Sequence, residues 1–203
     1  MTTTITRAFD DPVLAQRAVT ALTDAGIPVS DVSLIANNEE GWFDEDSNIS
    51  SSGAADGAGT GAGVGGVLGA GVGALTGLGL MAIPGLGPVV AAGWLAATAV
   101  GAVGGAAIGG AAGGIIGALT SSGVEEHDAH VYAEVVRRGG AVVSLRVPDE
   151  AVRRAEEVLA RTSTIDTKQR REAYTSTGWT GFDPAAPTYK GEPPRKDDYR
   201  PLP

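Results

Sequence analysis

The sequence predicts an α+β fold: a ferredoxin-like antiparallel sheet made of two βαβ halves and interrupted by a Gly/Ala-rich helical hairpin. Three observations lead there. Up to residue 37 and again from residue 125, hydrophobic residues switch between strand and helix periods. Between those flanks, Gly57 to Val124 contains no Asp, Glu, Lys, Arg or His. Within that stretch glycines recur every fourth residue, at Gly57, Gly61, Gly65, Gly69, Gly73 and Gly77, then at Gly101, Gly105, Gly109, Gly113 and Gly117.

Residues 1–37 supply the first half. Thr3 to Phe9 has the alternation of a strand, and Asp10 or Asp11 can cap a helix that begins at Pro12. Ala15, Ala18, Val19 and Leu22 fall on one face of that helix, and Gly26 stops it. Val32 to Ala36 is the second strand. Residues 38–56 form an acidic linker in which Trp42 and Phe43 are the bulky aromatics, suited either to a membrane interface or to the edge of the domain.

The insert, 57–124, reads as two helical arms, about 59–83 and 89–120, around the turn Pro84, Gly85, Leu86, Gly87 and Pro88. Its prolines lack a donor and its glycines permit positive φ. An exposed helix would lose roughly 1 kcal/mol per Gly relative to Ala, so this spacing makes sense where backbones approach closely, as in small-xxx-small packing. The glycine stripe drifts by roughly 40° per step on a helix, which favours right-handed crossing or several neighbours. At about 1.5 Å per residue the first arm can cross a hydrocarbon core of about 30 Å, whereas the second is too long for one upright span. A soluble helical pair folded against its own domain is the alternative.

Residues 125–167 complete the sheet. Glu125 and Glu126 suit a helix N-terminus, and Arg137, Arg138 and Gly139 suit its end. Tyr132, Val135 and Val136 mark its apolar face. Ala141 to Val147 is a strand, the helix from Asp149 buries Ala151, Ala155, Val158 and Leu159, and Thr164 to Thr167 is a short closing strand. With helices on one face, strands two and three become antiparallel neighbours, and the hairpin between them returns the chain to the side it left. The tail, 168–203, is Pro-rich and lacks an apolar period, which predicts disorder; Tyr174, Trp179, Phe182 and Tyr189 give it an aromatic patch able to lie on its own domain or on a partner.

Composition narrows the function. The 203 residues carry a net charge of −9, and the acidic front half repels nucleic acid. With no cysteine there are no disulfides, thiolate ligands or Cys nucleophiles. Gly61 to Gly66 matches GxGxxG, but it follows a Ser/Gly loop and has no acidic residue about twenty positions on, so no cofactor is assigned. His127 and His130 share a helix face beside Glu126 and Asp128; a metal bridge is conceivable there, but a solvated face is the simpler account, and no metal is assigned. No convergent catalytic cluster stands out. The N-terminus lacks a basic region followed by an apolar run.

The stretch IPGLGPVVAAGWLAA, the later GVEEHDAHVYAEVVRRGGAVVSLRV and the front segment FDDPVLAQRAVTALTDAGIPVSDVSLIA resemble the bacterial general stress protein, or heat-induced stress protein, family. The resemblance spans about Thr4 to Asp166 and is most specific from Ile83 to Val147. It implies a stress-inducible bacterial protein, commonly assigned to the membrane, with no established catalytic activity and no site residues to transfer. The expectation is a non-enzymatic, membrane-associated protein that meets the lipid bilayer and self-associates through its glycine zipper. It would sit at the inner membrane with both termini cytoplasmic and the 84–88 turn on the far side. The alternative is a cytoplasmic ferredoxin-like domain that binds a small ligand and whose Gly-rich hairpin packs on itself or on a partner.

Overall fold

A computed structural model describes residues 1–39, 41, 79–83, 85–95, 110–187, 189 and 191. In chain order they form β1 (Thr2–Phe9), α1 (Pro12–Asp24), a short 3-10 turn, β2 (Val32–Asn37), β3 (Gly79–Ile83), β4 (Gly87–Ala92), α2 (Gly110–Ser121), α3 (Glu126–Arg137), β5 (Ala141–Pro148), α4 (Asp149–Leu159) and α5 (Thr167–Ser176). The fold is α+β. Its sheet has five strands in the order β1-β5-β2-β4-β3, with every neighbouring pair antiparallel.

The helices that sequence periodicity predicts are present at the expected places. Asp11 caps α1 by accepting from the Leu14 amide at 2.9 Å, with Pro12 at its first position. Strands two and three of the expected sheet are antiparallel neighbours, with Val32 opposite Leu145 and Ala36 opposite Ala141. Helices, however, cover both faces. Leu34 and Val143 turn into a core with Phe9, Val19 and Leu22 beneath α1 and α4. Ile35 and Val142, one residue away on the same strands, turn into a second core with Leu119, Tyr132 and Val135 beneath α2, α3 and α5. The period of two on strands that carry apolar residues toward both sides leaves two faces to bury.

The insert departs furthest from expectation. Residues 79–83 and 87–92 are strands rather than parts of helical arms, joined by a three-residue connection, since Ile83 pairs with Gly87. The turn is correctly located, but it reverses a β-hairpin; Gly85 and Gly87 both take positive φ, 77° and 82°. The hairpin extends the domain's own sheet: Leu34 pairs with Ala92 and Asn37 with Val89. Ser33 locks this edge by donating to the Ala92 carbonyl at 2.7 Å and accepting from the Leu95 amide at 3.2 Å. Leu86, at the tip, is 1% exposed within the α3-side core, and its carbonyl accepts from Asn37 Nδ2.

Of the second arm, α2 is helical. Gly113 and Gly117 lie in it, and a Cβ on the exposed Gly117 would meet nothing within 4 Å. Gly57, Gly61, Gly65, Gly69, Gly73, Gly77, Gly101, Gly105 and Gly109 lie outside the described residues, as do Pro84, Trp42 and Phe43. No helix among the described residues is long and apolar enough to cross a membrane.

Two further expectations are corrected. Thr164 to Thr167 is not a strand; a single bond from the Ile165 amide to the Ala8 carbonyl, 2.8 Å, ties it to β1 before Asp166 caps α5. The front of the tail is ordered rather than disordered, because Tyr174 and Phe182 insert into the α3-side core at 5% and 6% exposure. Residues 192–203 lie outside the described set.

The turn yields a direct test. Leu86→Ala should lower the unfolding free energy by about 2–4 kcal/mol in urea titrations without lipid, the usual cost of truncating a core leucine. An unchanged midpoint would mean that the turn lies outside the core.

Candidate functional site

Polar chemistry concentrates along α3, which sits between the sheet, α2, α5 and the tail. Ala129, Val131, Tyr132, Ala133, Val135 and Val136 anchor this helix in the core. A wider face is buried than Tyr132, Val135 and Val136 alone suggest, and it includes Glu134.

Glu134, with its side chain 1% exposed, accepts from Arg137 Nε at 2.8 Å and from Arg138 Nε at 2.6 Å. A carboxylate withdrawn this far from water is tolerable only with such partners. The bond to Glu134 in turn holds the Arg137 guanidinium protonated beyond its ordinary range. The arginines then receive the tail: Arg138 stacks over Tyr174 at 4.2 Å and over Tyr189 at 4.9 Å, and Arg137 lies 5.4 Å from the Tyr189 ring. Arg137 Nη1 also donates to the Pro187 carbonyl at 3.4 Å. Next to this clasp the tail touches the β-hairpin tip so closely that a Cβ on Gly85 would lie 2.8 Å from the Pro184 oxygen.

At the other end of α3 is a cavity of about 600 Å³, lined by Glu126, His127 and His130, by Arg171 and Thr175 of α5, and by Trp179 to Gly181 of the tail. His130 Nδ1 accepts from the Phe182 amide at 3.1 Å. Trp179 packs edge-on to Tyr174, with centroids 5.5 Å apart, and its indole N–H is buried with no hydrogen-bond partner among the described residues. His127 lines the same cavity, but its Nε2 is 3.1 Å from Glu125 and 3.3 Å from Asp128. Arg171 reaches the same Asp128 oxygen at 3.3 Å, so a side-chain cation already serves this exposed group and it is a solvated ion-pair network. The two histidines therefore share a cavity but not a common partner.

Beneath the cavity, the Tyr132 hydroxyl donates to the Thr6 carbonyl and accepts from Thr167, both at 3.3 Å. Burial pushes the Tyr132 phenol above its ordinary pKa, the Thr167 bond partly offsetting this; burial likewise raises Tyr174, against the opposing pull of Arg170.

Sequence reasoning placed His127 and His130 together but missed Glu134, Arg171 and Trp179 as parts of one region. The legible signal was Glu134 followed by arginines three and four residues on, set between Ala133 and Val135. No family model, characterised protein or solved structure matches the chain.

The tyrosines predict alkaline sensitivity. A phenol raised in the folded state contributes stability that is fully present below its unfolded pKa, about 10, and is lost as pH rises through the folded value. Unfolding midpoints should fall progressively above about pH 10, and Tyr132→Phe should lessen that slope while costing some stability at neutral pH. Equal slopes for the two proteins would exclude Tyr132 as a source.

Proposed function

We propose that this chain is a non-enzymatic regulatory domain that binds a small anionic ligand in the cavity between α3, α5 and the tail. One observation carries the proposal: Arg171, two imidazoles and Trp179, whose buried indole N–H has no hydrogen-bond partner among the described residues, line the same space. A buried donor left unpaired costs about 1–3 kcal/mol, which a ligand acceptor reaching it would recover. Glu126 on the same wall disfavours a highly charged anion and suits a small carboxylate or a monoanionic phosphate. The ferredoxin-like description applies as a distant analogy of connectivity, with β1 and β2 flanking β5 as a split βαβ unit. The stress-related role rests on the family resemblance.

The β-hairpin favours this proposal over a membrane-spanning one. A transmembrane hairpin needs its turn outside the domain, whereas Leu86 is part of the core. Residues 37 and 79 also belong to strands of one sheet, so a bilayer excursion between them has to go out and back. The 22 uncharged residues 57–78 suffice for one span of about 20 residues, not for two. The glycine-rich stretches are accordingly assigned to self-association with a second copy.

The indole proton reports binding directly. Titration with acetate or inorganic phosphate should shift the Trp179 Nε1–H resonance saturably, and Arg171→Gln should weaken the response roughly tenfold, as expected for loss of a charge-assisted bond. No shift with either anion up to tens of millimolar would overturn the cavity as an anion site. In cell fractionation the protein should leave the membrane pellet under carbonate extraction without detergent, and retention there would restore the membrane-anchored alternative.

A further inference from the structure

We infer that the bond from the Phe182 amide to His130 Nδ1 is a pH-sensitive latch that holds the tail wall of the cavity in place. The inference concerns regulation of the proposed ligand site and rests on that proposal for its consequence, although the latch itself requires no ligand. Trp179, Thr180 and Gly181 form one side of the cavity and immediately precede Phe182. Among the described residues, Phe182 is the last of the tail to be sunk into the core, at 6% exposure. Its amide is fastened to a ring nitrogen at 3.1 Å, and no strand or helix supplies that bond. The preceding residue also lies against the ring: a Cβ on Gly181 would be in ordinary contact with His130 Nδ1, at 3.6 Å.

An imidazole accepts through Nδ1 only while that nitrogen keeps its lone pair, with the single proton on Nε2. Protonation places a second N–H on Nδ1, facing the Phe182 N–H. Two donors then oppose one another and the bond is lost. Docking of the tail is therefore linked to an unprotonated ring: it is present while Nδ1 keeps its lone pair and lost when that nitrogen takes up a proton.

Groups of both signs surround the ring. On α3, Glu126 lies one turn earlier and His127 lines the same cavity. Arg171 of α5 lines the cavity opposite them. Glu134, one turn later, is committed to Arg137 and Arg138. On the tail, Asp183 follows the latch residue and its Oδ1 accepts from the Ala185 amide at 2.8 Å. The neighbouring α2 carries no titratable side chain from Gly110 to Ser121. Release at the His130 end leaves the Arg137 and Arg138 contacts with Tyr189 in place, so the tail opens at the cavity and remains tethered beyond it.

Hydrogen exchange of the full chain without ligand, followed in peptides covering 177–187 and corrected for intrinsic rates, tests the latch. Parent protection should fall roughly fivefold from pH 7.5 to pH 5.5, the scale of one hydrogen bond, while β5 remains protected. His130→Ala should show the parent's low-pH protection at both pH values. His130→Gln, whose amide oxygen can accept without titrating, should remain protected at both, and His127→Gln should keep the parent's step. A parent without a step, a step that survives in His130→Ala or His130→Gln, or full protection in His130→Ala would each overturn the latch. Failure of acetate and phosphate to bind at pH 7.5 with the exchange step intact would overturn the ligand proposal and leave the latch standing.

Discussion

β5 is the element on which everything else depends. It is flanked by β1 and β2, and Ala141 to Leu145 are buried without interruption. A strand apolar on both faces cannot leave either to water, so two helical layers are required rather than one. α1 and α4 close one face through Val143 and Leu145; α2, α3 and α5 close the other through Val142. The junction that delivers the chain to β5 is equally constrained, because a Cβ at Gly140 would lie 2.5 Å from the Phe9 carbonyl oxygen.

From that requirement follows the fate of the segments flanking the domain halves. The second face needs more apolar cover than α3 alone provides, and Leu86, Val89 and Leu95 from the insert join Tyr174 and Phe182 from the tail to supply it. Tail and insert therefore meet, at Gly85 and Pro184, although about a hundred residues separate them in the chain. Covering a core with a segment rich in Pro, Arg and Tyr needs polar fastenings, which are the Glu134–arginine clasp at one end of α3 and the His130 bond at the other. The cavity lies where the tail crosses between α3 and α5. The candidate cavity and the packing of the second face thus share the same few residues.

Much of the candidate site was legible only as isolated pieces. His127 and His130 are three apart and visibly share a helix face, but their separate engagements depend on where the tail runs. Arg171 and Trp179 belong to a region whose composition resembles disorder; Tyr174 and Phe182 order it by finding an apolar surface that local sequence does not reveal. Glu134 resembles an ordinary solvated residue paired with arginines one turn on, and only the layer packed above α3 buries it.

The sequence by itself determined the elements whose signals are local. Asp11 with Pro12 starts α1, Gly26 at φ 83° ends it, and Gly139 at φ 99° follows α3 before the β-branched run of β5. Caps, stops and amphipathic periods act within one or two turns, so they survive in the linear chain. Only the tertiary structure decided that Gly79–Ile83 and Gly87–Ala92 are strands and that helices lie on both faces. Short runs of Gly, Ala, Val and Leu carry no period that separates helix from strand, and a strand is stabilised by its partner. That partner is β2, more than forty residues earlier in the chain, and its open edge selects the extended form by pairing Asn37 with Val89 and Leu34 with Ala92.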